Sequence, residues 1–235
     1  MKPRQRLNQI YELLLDEFGP QNWWPVTPEG KFHPEYSGGP KNEKQQLEVI
    51  FGAILTQNTS WKNVEKAIAQ LNKNNLIDIK KILKIESEKL AEVIKSSGYH
   101  NQKARKLKSF CEFLDEAHGG KLKNLFKKNI WELRKELLSV HGIGPETADS
   151  IILYAAKKPV FVVDAYTKRI MGRLGFSEQA YDELQQLFMK SLENSEKLFN
   201  EYHALLVELG KNICKKEPLC GKCPVHDHCS YSKKR

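Results

Sequence analysis

The spacing of apolar residues restricts this chain to a largely helical fold. Such residues recur every three or four positions, as on one face of an α-helix, in four windows: Leu47, Ile50, Phe51, Ile54, Leu55; Val64, Ala67, Ile68, Leu71; Leu107, Phe110, Leu114; and Ile130, Leu133, Leu137, Leu138. Hardly any segment shows the period of two that is typical of β-strands. The apolar run from Val160 to Val163 could form a strand, but it is short and isolated. We therefore predict an all-α protein.

The charge of the chain favours a polyanionic partner. Its 235 residues include 38 lysines and arginines against 29 aspartates and glutamates, a formal net charge of +9. Nucleic acid is the commonest polyanion for a basic intracellular protein. Charge alone does not identify it, because a lysine-rich surface is usually no more than a solvated one. No stretch approaches the roughly 20 apolar residues of a membrane helix, and the first residues lack the apolar core of a secretory signal.

Four of the five cysteines lie in the last 22 residues, in the pattern Cys214-x5-Cys220-x2-Cys223-x5-Cys229. The odd total, the lack of a secretory signal and this crowding indicate a metal site rather than a disulfide framework. Four thiolates fit either a tetrahedral zinc ion or a four-iron cluster, and on the ligands alone zinc is favoured. Cys111 lies in one of the helical windows, and we expect it to be an inert core residue.

The segment from Leu138 to Asp149 predicts two helices joined by a tight turn. Gly142-Ile143-Gly144 ends the first helix, and Pro145 suits the first turn of the second. The free N–H groups at the start of that second helix would suit a DNA phosphate. An ordinary helix–helix turn has the same glycines, so this segment alone leaves both interpretations open.

A single carboxylate follows the hairpin at a distance of 20 residues from Gly144. The apolar run that ends at Val163 delivers Asp164 to the start of a polar, basic helix. Aspartate at that place is commonly the N-cap. A helix N-terminus also keeps a carboxylate ionised and oriented, so capping and catalysis are compatible.

These motifs, in this order, resemble the endonuclease III branch of the helix-hairpin-helix DNA glycosylases. The similarity runs from about Leu47 to Cys229 and rests on the hairpin glycines, Asp164 and the C-terminal cysteines. It implies an all-helical, two-lobed protein that binds double-stranded DNA containing a damaged base across the cleft between its lobes. It also implies that the four cysteines hold a [4Fe–4S] cluster rather than zinc. The first gap is one residue shorter than the usual Cys-x6-Cys, which departs from the family pattern.

The resemblance predicts three parts: a helical-barrel domain over 43–157, with the helix-hairpin-helix at about 133–154; a second helical domain from 1–42 and 158–213, carrying Asp164 and the Trp-Trp-Pro loop; and a cluster loop over 214–229. We expect a monomer, because a duplex with one lesion offers no symmetry to match. We also expect the protein to act in the cytoplasm of a prokaryotic cell, at the nucleoid and without a membrane.

One departure from the family concerns strand cleavage. Bifunctional members place a lysine two residues after the second hairpin glycine, and it forms a Schiff base with the sugar. Here that position is Glu146, and a carboxylate cannot form an imine. The resemblance therefore implies a monofunctional glycosylase, in which Asp164 stabilises the cationic sugar as the base departs and helps water to attack. Lys157, Lys158 and Lys168 are the lysines that could replace the missing one.

The segment Trp23-Trp24-Pro25 bears on the choice of base. Together with Leu55 to Thr59 it resembles the endonuclease-III-related 3-methyladenine DNA glycosylases of bacteria, in which it lines the base pocket. The tryptophans either staple the N-terminal helix to the core or face a flipped-out base, whose positive charge after N-alkylation attracts a tryptophan ring. The implied substrates are 3-methyladenine and 7-methylguanine in DNA.

Other functions stay open at this point. The best-known branch of that group lacks the cysteine cluster and carries a pocket lysine where this chain has Leu205. The alternatives are therefore a glycosylase for mismatched or oxidised bases, with or without lyase activity, a DNA-binding module without catalysis, and an electron carrier.

The resemblance assigns further roles residue by residue. The predicted base pocket consists of Trp23, Trp24, Pro25 and Glu146. The predicted DNA contacts are Gln57, Asn58, His141, Gly142, Ile143, Gly144, Thr147 and Lys168. Gln57 matches the residue that fills the gap left by a flipped nucleotide, and the alternative is an ordinary polar residue at a helix end. We expect Asp149 to be structural.

Overall fold

Helices make up nearly all of the regular structure in the computed structural model, which describes residues 2–232. In chain order they are α1 (Pro3–Phe18), α2 (Glu43–Leu55), α3 (Trp61–Lys73), α4 (Ile79–Lys84), α5 (Ser87–Val93), α6 (His100–His118), α7 (Leu122–Phe126), α8 (Ile130–Ser139), α9 (Pro145–Ser150), α10 (Ala165–Leu174), α11 (Tyr181–Ser191) and α12 (Glu196–Asn212). Within these residues no β-strand forms, which confirms the all-α prediction. No described helix is both long and apolar enough to span a bilayer.

The four apolar windows coincide with α2, α3, α6 and α8. Their apolar residues are buried, except that Ile130 is half-buried and Leu138, at the end of α8, is exposed. Cys111 is fully buried, as predicted. A polar cap marks the start of α2, where Asn42 Oδ1 accepts the Gln45 amide at 2.9 Å. Such a cap satisfies one of the N–H groups that a helix start leaves without an intrahelical partner.

The chain divides into two compact units. One consists of residues 22–158 and is called here the hairpin unit. The other consists of the residues up to Gln21 together with those from Pro159 onward and is called here the aspartate unit. The division differs from the predicted one in three places: residues 22–42 and Lys158 belong to the hairpin unit rather than with Asp164, and the cysteine segment 214–229 belongs to the aspartate unit instead of forming a part of its own.

Buried polar contacts explain why residues 22–42 group with the hairpin unit. Glu48, on α2, is 3% exposed and accepts the Thr27 amide at 2.7 Å. Its other oxygen accepts from Asn72 Nδ2, on α3, at 2.8 Å, and Asn72 also donates to Thr27 Oγ1 at 3.0 Å. Burial raises the pKa of the Glu48 carboxyl, and the hydrogen bonds from Asn72 and Thr27 oppose that rise. The loop is thereby fixed to two helices through one carboxylate.

In the aspartate unit, α12 packs against α1 and α10. The core contains Phe161, stacked on Phe188 with ring centroids 3.7 Å apart. Tyr202, fully buried on α12, donates a hydrogen bond to the Leu7 carbonyl at 2.9 Å. The apolar run Val160 to Val163 is buried but forms no strand. Its backbone is instead satisfied in part by a side chain, because Gln185 Nε2 donates to the Phe161 carbonyl at 2.8 Å.

We predict that Glu48→Ala lowers the free energy of unfolding by about 3 kcal/mol, because it leaves the buried Thr27 amide without its acceptor and Asn72 with one fewer. Urea unfolding followed by circular dichroism measures this. Glu88→Ala, at an exposed position in the first turn of α5, is the matched control and should change the value by less than about 0.5 kcal/mol. Equal effects of the two variants would contradict the role given to Glu48.

Candidate functional site: a helix-hairpin-helix and a capped aspartate

The predicted hairpin is present between α8 and α9. Gly142 has a φ of +84°, which is the left-handed region that glycine adopts without strain. A Cβ on Gly142 would also collide with the Lys106 side chain. Gly144 is the N-cap of α9 and Pro145 its first residue, as the sequence predicts. The turn therefore requires glycine at position 142 for two separate reasons.

Gln57 is tied to this hairpin. Its side-chain nitrogen donates to the Gly142 carbonyl and to Thr147 Oγ1, each at 2.9 Å, and its oxygen accepts from Lys106 Nζ. Asn58, the next residue, is exposed and has a φ of 54°. The structure thus brings together two predicted DNA contacts, Gln57 and the hairpin, that lie 85 residues apart in the chain.

The predicted hairpin contacts differ in exposure. His141, Gly144 and Glu146 are exposed, whereas Ile143 and Thr147 are buried. The side chains of Ile143 and Thr147 are buried and shape the turn. In a complex with DNA, these two residues would therefore contribute through their backbone groups and through the shape they give the turn. The predicted roles of all five remain proposals.

Asp149 is structural, as expected. It is fully buried and accepts two hydrogen bonds from Arg134, at 2.8 Å from Nε and 3.2 Å from Nη2. This paired, bidentate geometry satisfies a buried carboxylate and connects α8 to α9. This buried ion pair between Arg134 and Asp149 stabilises the packing of the two hairpin helices.

The two tryptophans have different surroundings. Trp24 is 6% exposed, and its ring centroid lies 5.2 Å from that of Trp61 and 4.9 Å from that of Tyr154. Pro25 is also buried. Trp23 is only half-buried and packs with one edge toward Trp24, at 5.7 Å between centroids. Trp24 and Pro25 therefore act as anchors of the loop, and Trp23 is the tryptophan that keeps accessible surface.

Asp164 is the N-cap of α10 in the aspartate unit. Its Oδ1 accepts the Thr167 amide at 2.7 Å, and its side chain is 13% exposed. The buried run before it leaves the backbone at Asp164 well defined, since Val162 and Val163 are each 1% exposed. The result is a fixed, oriented and partly accessible carboxylate at the positive end of a helix.

Sequence reasoning missed His203, which lies in the middle of α12. Its Nε2 is 3.8 Å from Asp164 Oδ2, and the residue is 4% exposed. Burial lowers the pKa of His203, and the nearby Asp164 carboxylate opposes this. No motif marks His203, because it appears in the sequence as one polar residue in an otherwise apolar helical stripe.

The four C-terminal cysteines line one cavity, together with Arg173. Burial raises the pKa of Cys223 to about 11, and the other three thiols contribute to that rise, which reflects how close the four groups lie. Within residues 2–232 no three His, Cys, Asp or Glu side chains are arranged to hold a single metal ion.

Arginines of α10 bind the cysteine segment. Arg169 donates from Nε to the Cys214 carbonyl at 2.9 Å. Arg173 donates to the Lys216 carbonyl at 2.9 Å and lies with Nη1 at 3.3 Å from Cys214 Sγ. Positive charge beside the sulfurs offsets the negative charge that thiolates would carry. Lys168, a predicted DNA contact on the same helix, is exposed, with its ammonium 5.8 Å from the centre of the Tyr181 ring.

We predict that Gly142→Ala destabilises the protein by about 1–2 kcal/mol, the cost of a left-handed conformation for an L-residue. Gly144→Ala is the matched control. Gly144 has a φ of −96°, and no atom of the described residues lies within 4 Å of a Cβ built there, so only the weaker N-cap preference of alanine acts, at a cost of about 0.5 kcal/mol. Urea unfolding midpoints measure both. A larger loss for Gly144→Ala would refute this account of the turn.

Comparison with known proteins identifies the family. Residues 51–194 match the family described as the HhH-GPD superfamily of base excision DNA repair proteins. The chain is 44% identical over 229 residues to MJ1434 of Methanocaldococcus jannaschii, provisionally named a DNA repair glycosylase, and the match covers 96% of both proteins. It is 31% identical over 199 residues to endonuclease III of Thermotoga maritima, covering 83% of this chain and 89% of the relative.

Solved structures agree. The H. pylori 3-methyladenine DNA glycosylase MagIII, bound to 1,N6-ethenoadenine, is 30% identical with a TM-score of 0.71, and the match covers 90% of this chain and 98% of that one. An endonuclease III trapped covalently on DNA has the same fold, with a TM-score of 0.79 at 20% identity over 100% of this chain and 99% of that one. The chain belongs to the HhH-GPD superfamily and is a base excision repair DNA glycosylase of the endonuclease III type.

Proposed function

We propose that this DNA glycosylase is monofunctional and hydrolyses the N-glycosidic bond of alkylated purines, with Asp164 as the catalytic carboxylate. The observation that carries this proposal is the setting of Asp164 at the start of α10. One of its oxygens is held by the Thr167 amide at 2.7 Å, and the side chain keeps 13% of its surface accessible. A group that already points in one direction needs no reorganisation when charge develops beside it.

The chemistry follows from the charge of the reacting sugar. As the bond to the base breaks, the sugar becomes an oxocarbenium-like cation. A fixed carboxylate stabilises that cation more than it stabilises the neutral ground state, so its effect appears in the rate of the step. Water then forms the new bond to the anomeric carbon and loses a proton, while the electrons of the broken bond leave with the base. Alkylated purines depart as neutral molecules, which removes the need for a strong general acid.

The absence of lyase chemistry rests on Glu146. This exposed residue in the first turn of α9 occupies the position where the resemblance places the Schiff-base lysine. Cleavage of the strand through an imine requires an amine that attacks the sugar, and a carboxylate supplies none. We therefore assign hydrolysis alone.

The choice of alkylated purines rests on Trp23. Its indole is half-buried, and its ring lies against those of Trp24 and Tyr154, at 5.7 and 6.1 Å between centroids. A tryptophan face favours a positively charged planar base. The 30% identity to a 3-methyladenine DNA glycosylase over 90% of this chain supports the same substrate class. The 31% identity to an endonuclease III favours oxidised bases as the second candidate.

We further propose that Cys214, Cys220, Cys223 and Cys229 hold a [4Fe–4S] cluster. The four side chains line one cavity, and each thiolate of such a cluster binds a different iron, so the sulfurs need not converge on a single ion. When bound, the cluster would supply metal–thiolate bonds that close the C-terminal segment. Arg173, with Nη1 3.3 Å from Cys214 Sγ, supplies compensating charge.

We expect Asp164→Asn to abolish base release while retaining the fold and DNA affinity. Asparagine is as good an N-cap as aspartate, so its oxygen still accepts the Thr167 amide, but the negative charge is gone. Release of 3-methyladenine and 7-methylguanine from methylated DNA should fall by at least about 100-fold. Asp115→Asn, at an exposed position in α6, is the control and should behave as wild type.

The same assay tests the other parts of the proposal. Borohydride added to parallel samples should trap no protein–DNA adduct; a trapped adduct would overturn the assignment of hydrolysis alone. Release of oxidised or mismatched bases, without alkylated ones, would move the substrate to the second candidate. Base release by Asp164→Asn at the wild-type rate would refute the role of Asp164.

Metal analysis tests the cluster. Protein purified without oxygen should contain about four iron and four sulfide ions per chain, and Cys220→Ser should lower both. Cys111→Ala is the matched control, because Cys111 is a fully buried thiol of the hairpin unit and its loss should leave the iron content unchanged. Zinc in place of iron would show that the cysteines hold a single ion instead.

A further inference from the structure

The environment of Asp164 Oδ2 points to a second residue of the reaction. Oδ1 is used by the Thr167 amide. The imidazole of His203 lies on the other side, with Nε2 3.8 Å from Oδ2. The two residues are 39 positions apart in the sequence, and the packing of α10 on α12 brings them together.

His203 is held in place by its surroundings. The residue is 4% exposed, and its ring stands perpendicular to that of Phe161, with centroids 6.5 Å apart and an interplanar angle of 88°. Phe161 is itself stacked on Phe188. A buried imidazole packed in this way has little freedom to turn away from Oδ2.

We propose that His203 is a positioning residue: its neutral imidazole lies with Nε2 3.8 Å from Asp164 Oδ2, which is longer than a hydrogen bond, and as a fixed polar neighbour it restricts that oxygen and leaves the carboxylate its full negative charge. The proposal rests on the function proposed above for Asp164. It adds a requirement for the protonation state of a residue that does not itself contact the substrate.

The charges of His203 and Asp164 determine in which direction the reaction rate changes with pH. Burial lowers the pKa of His203, so the ring is neutral at neutral pH, and Asp164 opposes that shift. A protonated His203 would pair with Asp164 and cancel the charge that stabilises the cationic sugar. Imidazoles bind a proton at higher pH than carboxylates do. The rate should therefore fall as pH falls through the pKa of His203.

Other charged groups on the packed elements are engaged elsewhere. Arg169 of α10 binds the carbonyls of Gly210 and Cys214. Glu201, two residues before His203 on α12, accepts the Gln21 amide at 2.6 Å. From α1, Arg6 reaches the carbonyls of Leu174 and His228. Asp164 is the charged group whose field acts on the imidazole.

Two variants separate positioning from packing. His203→Leu fills much of the space but removes the polar ring, whereas His203→Gln keeps an N–H donor and cannot titrate. Single-turnover base release from methylated DNA, DNA affinity and unfolding are measured for both, across about pH 5 to pH 8. His33→Gln, an exposed histidine of the hairpin unit, controls for the loss of one imidazole.

We expect His203→Leu to lower the single-turnover rate by about 10- to 100-fold at neutral pH, with DNA affinity unchanged. His203→Gln should recover part of that rate. Its acid limb should shift to lower pH than in the wild type, because no imidazole remains to take up the first proton. A residue that only packed would lower stability without moving the pH profile.

The outcomes distinguish this inference from the proposed function. If Asp164→Asn retains activity, the proposed function fails and the role of His203 fails with it. If Asp164→Asn is inactive while both His203 variants keep the wild-type rate and pH profile, only the role of His203 is refuted. If His203→Leu does not fold, the acid limb of His203→Gln decides: a shift to lower pH supports the proposal, and an unchanged limb overturns it.

Discussion

The hydrogen bond from the Thr167 amide to Asp164 Oδ1 fixes both the start of α10 and the direction of the carboxylate. The carboxylate lies at the positive end of the helix. The buried run that ends at Val163 restrains the backbone from the other side. In the function proposed above, capping and catalysis require the same geometry, because a carboxylate held at a helix start is already oriented when positive charge develops beside it. The capping role of Asp164 is therefore compatible with the catalytic role proposed for it.

Gln57, in the hairpin unit, differs from Asp164 in this respect. Its structural role and its predicted role in DNA binding require different positions of the side chain. Its side chain bonds to the Gly142 carbonyl and Thr147 Oγ1. Filling the gap left by a flipped nucleotide would break both of these bonds and the one that Gln57 accepts from Lys106, at a net cost of about 1 kcal/mol each. Contacts with DNA must replace them. Insertion of Gln57 would also leave the Gly142 carbonyl without this donor.

The parts of this molecule that could be predicted from the sequence are those encoded locally. Helical windows follow from a period of 3.6 residues, and the N-cap at Asp164 from one residue type before a helix. The buried Glu48 and His203 could not be predicted, because each acquires its role from partners on other elements. In the sequence each is a polar residue next to apolar ones in an amphipathic helix, where a satisfied core residue and a positioning group look alike. The loop of residues 22–42 joined the hairpin unit for the same reason, through contacts that only folding creates.

The arginines of α10 show why a structural role suits the cysteine segment better than a catalytic one. Arg169 and Arg173, one turn apart, bind carbonyls at the end of α12 and just beyond it, so the cysteine segment and the later turns of α10 support each other. The start of α10 is held by Thr167 and by the apolar run before Asp164. Hydrolysis of a glycosidic bond transfers no electrons, so the reaction makes no use of a redox centre. A cluster bound by these cysteines would stabilise the aspartate unit near the C-terminal turns of α10. The orientation of Asp164 would depend instead on the hydrogen bond that caps the N-terminus of α10.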